Sequence, residues 1–267
     1  MSKIPEVRGY ERSRNYQKKA LMSDIPIKLV AVCGSPVKAG NCEEYTRQAL
    51  KAAEDIPGVE TELIILQKAY KTLRHCNHCN YCATKQTATR FCSIKDDMYE
   101  IYPKILYADA IILSTPAYVT RVTGLMASFM DRLRPLYHGN TYVGALHNKI
   151  GGALVVAFGR NCGVETTQLS IIQAYLMWGA IPATCGLFGP YGAAGLTSYG
   201  GEAFVEPGDK LAVLKDKYGI KEAKDLVREV IATAKILKAG NKDLGLENEY
   251  IKIYEKGLKE DKNSSSD

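Results

Sequence analysis

Four of the eight cysteines in this chain lie within a short stretch, and their spacing suits metal chemistry. Three follow a Cys-x2-Cys-x2-Cys pattern and a fourth comes after nine further residues; the four are Cys76, Cys79, Cys82 and Cys92. Four thiolates are the usual ligands of a [4Fe–4S] cluster, and bacterial ferredoxins use a similar closely spaced triplet. Three thiolates at this spacing can meet one face of a cubane, which the fourth then completes. The pattern therefore favours an iron–sulfur cluster with these four ligands.

Two other uses of the same cysteines remain open. Zinc also binds four cysteines, or three cysteines and a histidine, and His75 and His78 lie in the same stretch. Zinc sites usually consist of two separated Cys-x2-Cys pairs, so the triplet fits a cluster better. In the remaining alternative, the cysteines are plain thiols without a metal.

The composition excludes several classes of protein. With 46% hydrophobic and 24% charged residues among 267, the chain has a globular composition and room for one large domain or two small ones. No apolar run is long enough to cross a membrane. A net charge of +6 without a long basic block predicts no nucleic-acid partner. The charged N-terminus lacks a signal-peptide pattern, so we expect a cytoplasmic protein, in which disulfides are rare.

Five short apolar segments alternate with helical patterns. Strands are predicted at 27–33, 59–66, 110–114, 152–158 and 183–188, and helices at 41–54, 96–106, 123–136, 165–178 and 221–238. This alternation is typical of an α/β fold, a doubly wound parallel sheet with helices on both faces. Five strands favour the flavodoxin-like order 2-1-3-4-5, with the cysteine-rich loop at 67–97 after strand two. Around this domain at 26–240, residues 1–25 are predicted to be a solvated arm and residues 241–267 a charged, frayed tail.

The loop after strand one is the first candidate for ligand binding. Ligands of such sheets bind at the carboxyl ends of the strands, here between strands one and three, where the strand order reverses. Residues 34–42 contain two glycines and short polar side chains, and a helix follows them. Backbone N–H groups and the positive helix end can together hold a phosphate. The loop matches neither the dinucleotide fingerprint nor the P-loop motif. An ordinary turn, with Asn41 as helix cap, is the alternative.

Three loops resemble those of the NADPH-dependent FMN reductase family, a branch of the flavodoxin-like fold. They are Gly34-Ser35-Pro36 with Gly40-Asn41, the Ser114–Tyr118 turn before a helix ending in Asp131-Arg132, and the Gly-rich loop from Gly159 to Thr167. The resemblance implies bound FMN, contacted by Ser35, Pro36, Lys38, Gly40, Asn41, Cys42, Pro116, Ala117, Tyr118, Val119, Gly159, Arg160, Asn161 and Gly163. Cys42 stands where the family usually has threonine or serine, and a thiol is a poorer donor to phosphate.

The resemblance also implies separate roles for these loops. The first would hold the FMN phosphate. Backbone groups at 116–119 would meet the edge of the isoalloxazine ring, and Tyr118 would cover or flank that ring. The third loop would line the pyrimidine side, where Arg160 could stabilise negative charge on the reduced flavin.

The cysteine triplet and the later Cys-x-x-Lys-Asp-Asp-Met string resemble the iron–sulfur flavoproteins of anaerobic archaea and bacteria. Their usual spacer before the fourth cysteine is shorter than the nine residues present here, Ala83 to Phe91. The resemblance implies an electron-transfer flavoprotein with FMN and a [4Fe–4S] cluster. Its donor would be ferredoxin or NAD(P)H, and its acceptor a quinone, an oxygen species or a protein. The resemblance implies a homodimer or homotetramer. The sequence itself offers Tyr175, Met177 and Trp178 as candidate apolar interface residues.

Two other functions remain as alternatives. One is a clusterless NAD(P)H-dependent FMN or quinone reductase with structural or zinc-bound cysteines. The other is a redox sensor whose cluster acts as a switch. No acid–base residue is predicted to be catalytic, because the cofactors carry the chemistry in flavin enzymes of this kind. Cys33 and Cys185 lie on predicted strands and are expected to be buried apolar residues.

Overall fold

The centre of the computed structural model is a parallel sheet. The structure describes residues 17–69, 72–187, 189–198, 209–246 and 248–264. Its strands are β1 (Ile27–Cys33), β2 (Val59–Ile65), β3 (Ala110–Pro116), β4 (Ile150–Ala157), β5 (Ile181–Pro182) and β6 (Ala193–Leu196). The inner strands β1, β3 and β4 are buried along almost their whole length. Helices cover both faces of such a strand, which is why these three are nearly continuous apolar runs in the sequence.

The strand order is β2-β1-β3-β4-β5, with β6 also paired to β4. This confirms the predicted α/β, flavodoxin-like fold. The reversal of order lies between β1 and β3, whose register pairs Leu29 with Ala110 and Cys33 with Ser114. The carboxyl ends of β1, β3 and β4 therefore lie at one edge of the sheet.

The predicted fifth strand at 183–188 is wrong. The strand that follows α6, β5, is only two residues long and pairs its Ile181 with Ile150 of β4. Further along β4, Leu154 pairs with Ala193 of β6 instead. Between them the chain turns back, because Gly186 adopts a φ of +71° and the Cys185 N–H donates to the Gly189 carbonyl at 2.9 Å. Phe188 lies outside the described residues. Cys185 is therefore in a loop and only half-buried, whereas Cys33 is fully buried on β1.

The helices pack on the two faces of the sheet. They are α1 (Asn41–Leu50), α2 (Tyr81–Thr84), α3 (Met98–Tyr107), α4 (Gly124–Arg132), α5 (Arg134–Tyr137), α6 (Val164–Met177), α7 (Lys217–Asp243) and α8 (Glu249–Ser264). Short 3-10 turns span Lys51–Ala53, Leu66–Ala69 and Ala212–Lys215. α1 and α7 cover one face, and α3, α4 and α6 cover the other. No helix in the described part of the chain is long and apolar enough to cross a membrane.

Two of the three residues predicted to form an interface belong to the core instead. Tyr175 and Trp178 are buried, and the Tyr175 hydroxyl donates to the carbonyls of Ile111 and Gly152. A buried phenol needs such acceptors, which explains why a tyrosine is tolerated there. Met177, in contrast, is 70% exposed.

The described residues that flank the predicted domain at 26–240 are held by specific contacts and helical structure, unlike the solvated arm and frayed tail predicted from the sequence. The Lys235 ammonium is buried in α7 and donates to the carbonyls of Leu21 at 3.0 Å and Ser23 at 2.5 Å, which fixes residues 21–23. Residues 1–16 lie outside the described part of the chain. Residues 249–264, expected to be a frayed tail, form α8.

Candidate functional site

The loop between β1 and α1 is held by its own side chains. The Val37 N–H donates to the buried Ser35 hydroxyl at 3.1 Å, and the Ala39 N–H donates to the Glu43 carboxylate at 3.0 Å. Glu43 also accepts two hydrogen bonds from Arg47. Burial alone would raise the pKa of Glu43, but the hydrogen bonds from Arg47 and Ala39 outweigh it and lower that pKa. The first N–H groups of α1 have no acceptor within the helix and carry its positive end.

Asn41 is not the cap of α1. The cap position is Gly40, in an extended conformation, and Asn41 is the first helical residue. Its side-chain oxygen accepts from the Val213 N–H at 3.0 Å, which ties the loop to the 3-10 turn before α7. Lys38 is exposed on the same loop.

Cys42 directs its thiol inward. The sulfur lies 3.3 Å from the Ser114 hydroxyl and 3.7 Å from the Cys33 sulfur, and the residue is 2% exposed. Burial, together with the hydrogen bond between Cys42 and Cys33, raises the pKa of Cys42 well above its usual value, so the thiol stays protonated. Only the backbone N–H of Cys42 can therefore face a ligand at the loop.

The loop after β3 contains backbone strain. Tyr118 and Arg121 exchange backbone hydrogen bonds of 2.9 and 3.2 Å across a tight turn. The two residues within the turn, Val119 and Thr120, have φ values of +51° and +58°. Such values disfavour β-branched side chains and cost about 1–3 kcal/mol for each residue. The Thr166 hydroxyl fixes the turn by donating to the Thr120 carbonyl at 2.6 Å. Strain of this kind concentrates at ligand-binding sites.

The three loops at the carboxyl edge of the sheet contact one another. Gly163 lies against the strained turn, since a Cβ there would be 2.3 Å from the Thr120 Cα. The Thr123 hydroxyl donates to the Gly34 carbonyl at 2.6 Å, which joins the loops after β1 and β3. A Cβ on Gly34 would lie 2.7 Å from the Met126 Cβ, so only glycine allows this approach.

The predicted binding residues on these loops differ in exposure. Pro116 and Ala117 are half-buried, while Tyr118 and Val119 are exposed. Gly159 is buried between exposed Phe158 and exposed residues 160–161. At this edge of the sheet, the loops after three strands therefore offer backbone groups and partly exposed side chains that a flat ligand could contact.

The four clustered cysteines line one pocket. Its other lining residues are Asn77, Asn80, Ile94, Asp131, Arg132, Arg134 and Pro135. Cys82 is buried at the base and Cys79 is exposed. Among the described residues, no group of three or more His, Cys, Asp or Glu side chains is arranged to hold a metal ion.

A buried ion pair closes the neck of the cysteine loop, residues 74–96. The Arg132 guanidinium binds the Asp96 carboxylate through bonds of 2.6 and 2.8 Å, with both side chains at most 2% exposed. Arg132 also donates to the Arg74 carbonyl at 2.8 Å, and Asp96 accepts from the Arg74 N–H at 3.1 Å. Burial would raise the pKa of Asp96, but these hydrogen bonds outweigh it and lower the pKa. One ion pair therefore holds both ends of the loop together.

Gln86 holds the middle of the long spacer between Cys82 and the fourth cysteine. Its amide nitrogen donates to the Pro135 carbonyl at 3.0 Å, and its oxygen accepts from the Thr141 N–H at 2.8 Å. The side chain is 6% exposed. Both the nitrogen and the oxygen of this buried amide are hydrogen-bonded, so Gln86 anchors the spacer to α5 and to the segment that follows it.

Phe91 anchors the end of the spacer. Its ring stacks on Tyr102 and on Tyr142, each with a centroid distance of 5.0 Å. The next residue, Cys92, accepts a hydrogen bond at its carbonyl from the Tyr99 hydroxyl. The extra length of this chain is thus a packed loop that places Cys92 at the pocket.

The thiols of the pocket have different environments. Hydrogen bonds with the Ser93 hydroxyl, at 3.0 Å, and with the Tyr81 N–H lower the pKa of Cys79. Burial raises the pKa of Cys82, against an opposing effect of Arg134. The exposed Cys79 is therefore the more readily ionised of these two.

Helix α8 packs on the spacer through Gly257, where an added Cβ would lie 2.4 Å from the Ala88 Cβ. We expect Gly257→Ala to lower the free energy of unfolding by about 1–3 kcal/mol, because an inserted methyl group overpacks this contact. Gly240→Ala in α7 is the matched control, since nothing lies within 4 Å of its added Cβ. That change should raise stability by about 0.5–1 kcal/mol through helix propensity. Urea denaturation of both variants measures the difference, and an equal gain would contradict the packing of α8 on the loop.

Asp96, Arg132 and Gln86 could not be assigned a role at the cysteine pocket from the sequence. A partial signal exists for Arg132, which falls between Phe129 and Leu133 on an apolar helix. A buried arginine requires a carboxylate, but the sequence does not say which one.

Comparison with known proteins agrees with this geometry. The NADPH-dependent FMN reductase family matches residues 27–189. An iron–sulfur flavoprotein of Methanocaldococcus jannaschii is 36% identical over 215 residues, which cover 79% of this chain and 100% of the relative. An iron–sulfur flavoprotein of Archaeoglobus fulgidus is 31% identical over 221 residues, covering 79% of this chain and 98% of the relative.

A solved structure has a similar fold. It is RosB with the bound intermediate 8-demethyl-8-formylriboflavin-5′-phosphate, with a TM-score of 0.60 over 88% of this chain and 87% of that chain. At 16% identity, this likeness concerns the fold alone. This shared fold and the family match agree with the meeting of the three loops at the carboxyl edge of the sheet. The chain therefore belongs to the NADPH-dependent FMN reductase family, among its iron–sulfur flavoproteins, and is a flavin-dependent oxidoreductase.

Proposed function

We propose that the protein is an electron-transfer flavoprotein that binds FMN at the carboxyl edge of the sheet and a [4Fe–4S] cluster in the cysteine pocket. The observation that carries the proposal is that Cys76, Cys79, Cys82 and Cys92 line one pocket despite the long spacer before the last. The packed spacer and the closed neck of the loop support it. Relatives that share about a third of the residues are named iron–sulfur flavoproteins.

The proposed FMN site uses all three loops at this edge. The phosphate is assigned to the loop after β1 and the N-terminus of α1, with contacts from Ser35, Pro36, Lys38, Gly40, Asn41 and the Cys42 N–H. The ring is assigned to Pro116, Ala117, Tyr118, Val119, Gly159, Arg160, Asn161 and Gly163. A helix N-terminus attracts a dianion through its unpaired N–H groups and its dipole. The strained turn at Val119 and Thr120 supports a preformed ring site.

The donor set supports a cluster over zinc. A structural zinc ion draws four ligands to about 2.3 Å from a single point. In a cubane, each thiolate binds a different iron, so the four sulfurs stay spread around the cluster. The Cys-x2-Cys-x2-Cys triplet with a later fourth cysteine fits the cluster better, because zinc sites usually consist of two separated Cys-x2-Cys pairs.

When bound, FMN supplies hydride or two-electron chemistry and the cluster supplies one-electron transfer. The residues contribute position and environment. Gly163 and the Thr166 hydroxyl hold the strained turn that would contact the ring, and Thr123 ties the loop after β3 to the phosphate loop. The exposed Cys79 marks the edge of the pocket nearest solvent, where electrons can pass to or from another centre.

The family indicates a nicotinamide donor. We propose ferredoxin as the alternative donor, and a quinone, an oxygen species or a protein as the acceptor. A homodimer or homotetramer in the cytoplasm is part of the same proposal. Exposed apolar residues beside the ring loops, Val119 at 84% and Phe158 at 49%, support a subunit contact there.

The test is purification without oxygen, followed by the visible spectrum and by assays of iron, sulfide and FMN per chain. We expect about four irons and four sulfides with one FMN. FMN with zinc, or with no metal, would overturn the cluster and leave a reductase with structural cysteines. NADPH oxidation that persists after iron is removed with a chelator would point to the same reductase.

We expect Asn41→Asp to weaken FMN binding by about 10-fold or more, because it places a negative charge at the N-terminus of α1, beside the proposed phosphate position. The change should leave folding intact. An aspartate still accepts from the Val213 N–H, and negative charge is favourable at a helix N-terminus. Asn148→Asp is the control, since exposed Asn148 precedes β4 at the opposite edge of the sheet. Flavin fluorescence titration measures both, and equal affinities would contradict the phosphate assignment.

A further inference from the structure

One nitrogen of an arginine at the cysteine pocket is a buried donor without an acceptor among the described residues. The Nη1 atom of Arg134 is buried and has no hydrogen-bond partner among the described residues. Arg134 lines the pocket together with the four cysteines. A buried donor without a partner is unfavourable and calls for an acceptor that occupies the site in the working protein.

Arg134 differs from its neighbour Arg132. The Arg132 guanidinium also has a buried nitrogen without a partner, its Nε, but its charge is neutralised by Asp96. The described residues give Arg134 no such ion pair. The other charged group of the pocket wall is Asp131, which is exposed, so water and salt screen its charge.

The packing of α5 fixes the backbone position of Arg134 beside the cysteine pocket. Arg134 is the first residue of α5, and α5 packs against α2, the short helix that contains Cys82. Pro135 follows it, and its carbonyl accepts from Gln86 in the spacer. The guanidinium therefore belongs to the same packed unit as the proposed ligands.

A cluster sulfide or a cysteine sulfur in the pocket would supply the acceptor that Arg134 Nη1 lacks among the described residues. A [4Fe–4S] cluster with four thiolates is anionic in its oxidised form and gains a further negative charge with one electron. A nearby cation and an N–H donor stabilise the more negative form more strongly, and hydrogen bonds to the sulfurs are a known determinant of cluster potential.

We propose that Arg134 donates a hydrogen bond from Nη1 to a cluster sulfide or cysteine sulfur and raises the one-electron reduction potential of the cluster. A higher cluster potential makes electron transfer from the flavin to the cluster more favourable. The inference rests on the proposed cluster.

The experiment compares Arg134→Met, Arg134→Gln and Arg134→Lys with the wild type. Lys85→Gln is the matched control, because it removes an exposed positive charge from the same loop outside the pocket wall. Iron and sulfide are assayed in each protein, and the cluster is titrated anaerobically with dithionite as electron donor, followed by EPR. We expect Arg134→Met to make reduction at least tenfold less favourable, which is about 59 mV for one electron. Arg134→Lys and Arg134→Gln should fall between Met and wild type, and Lys85→Gln should stay near wild type.

A second readout separates the hydrogen bond from a structural role. Iron–sulfur stretching bands in resonance Raman spectra should shift in D2O for the wild type and Lys85→Gln, and lose part of that shift in Arg134→Met. A fully loaded Arg134→Met protein with the wild-type potential and the wild-type deuterium shift would overturn the proposal. If Arg134→Met cannot hold the cluster, unchanged potentials in Arg134→Lys and Arg134→Gln would overturn it equally. A wild type without iron and sulfide would instead refute the cluster itself.

Discussion

Replacing Cys79 by serine is expected to abolish the cluster absorbance and the bound iron while FMN stays bound. Cys79 is exposed at the edge of the pocket, and its sulfur contacts the Ser93 hydroxyl at 3.0 Å, so the change costs little folding energy. A serine hydroxyl remains protonated near neutral pH and is a poor ligand for iron. The flavin loops are attached to other strand ends, so their geometry should persist. Iron, sulfide and flavin assays on the anaerobically purified variant measure the result.

Cys185→Ser is the matched control. Cys185 lies in the loop after β5, where its thiol donates to the Glu222 carbonyl at 3.5 Å. Burial raises the pKa of Cys185 to about 12, so it is a neutral thiol outside the pocket. This variant should keep iron and FMN at wild-type levels. Retention of four irons in Cys79→Ser would remove Cys79 from the ligand set, and loss of FMN would show that the cysteine loop supports the flavin site.

The sheet was predictable because its inner strands are buried on both faces. Residues 110–113 of β3 are all apolar, and this pattern is local. The edge beyond β4 was not predictable in the same way. Residues 183–187 are also largely apolar, yet Gly186 turns the chain and β6 takes the place beside β4. Pairing between distant segments decides such an edge.

The C-terminal helix shows the same limit. Residues 249–264 are rich in charge, so the sequence resembles a solvated tail. Tyr250 and Tyr254 nevertheless lie one helical turn apart and pack on the core beside Phe91. Because Phe91 is remote in the chain, its contact with α8 appears only in the folded structure.

The part of the candidate site that could be predicted consists of residues with a characteristic sequence spacing. The cysteines and the glycine loops have characteristic spacings, so their residues were identified directly. Asp96, Arg132 and Gln86 act through single contacts with partners elsewhere in the chain. No spacing encodes such contacts, although they determine whether Cys92 reaches the pocket.

The neck of the cysteine loop gives the largest expected effect on stability. Asp96→Asn leaves the Arg132 guanidinium buried without its carboxylate, and breaking a buried pair in this way costs about 3–5 kcal/mol. Arg132→Met leaves Asp96 with backbone donors only, from Arg74 and Met98. The double variant removes both charges and should be less destabilised than the sum of the single changes. Urea denaturation of the metal-free proteins at neutral pH measures all three.

The same pair predicts a pH dependence and offers an internal control. Because the folded-state pKa of Asp96 is lowered, its contribution is present above the unfolded value of about 3.9 and is lost as pH falls through the folded pKa. Asp96→Asn should therefore lose part of the acid sensitivity of the wild type. Asp225→Asn breaks the exposed pair with Lys221, whose side chains are 41% and 72% exposed, and should cost less than about 1 kcal/mol. Equal small losses for Asp96→Asn and Asp225→Asn would mean that the neck is held by the backbone bonds of Arg74 rather than by the ion pair.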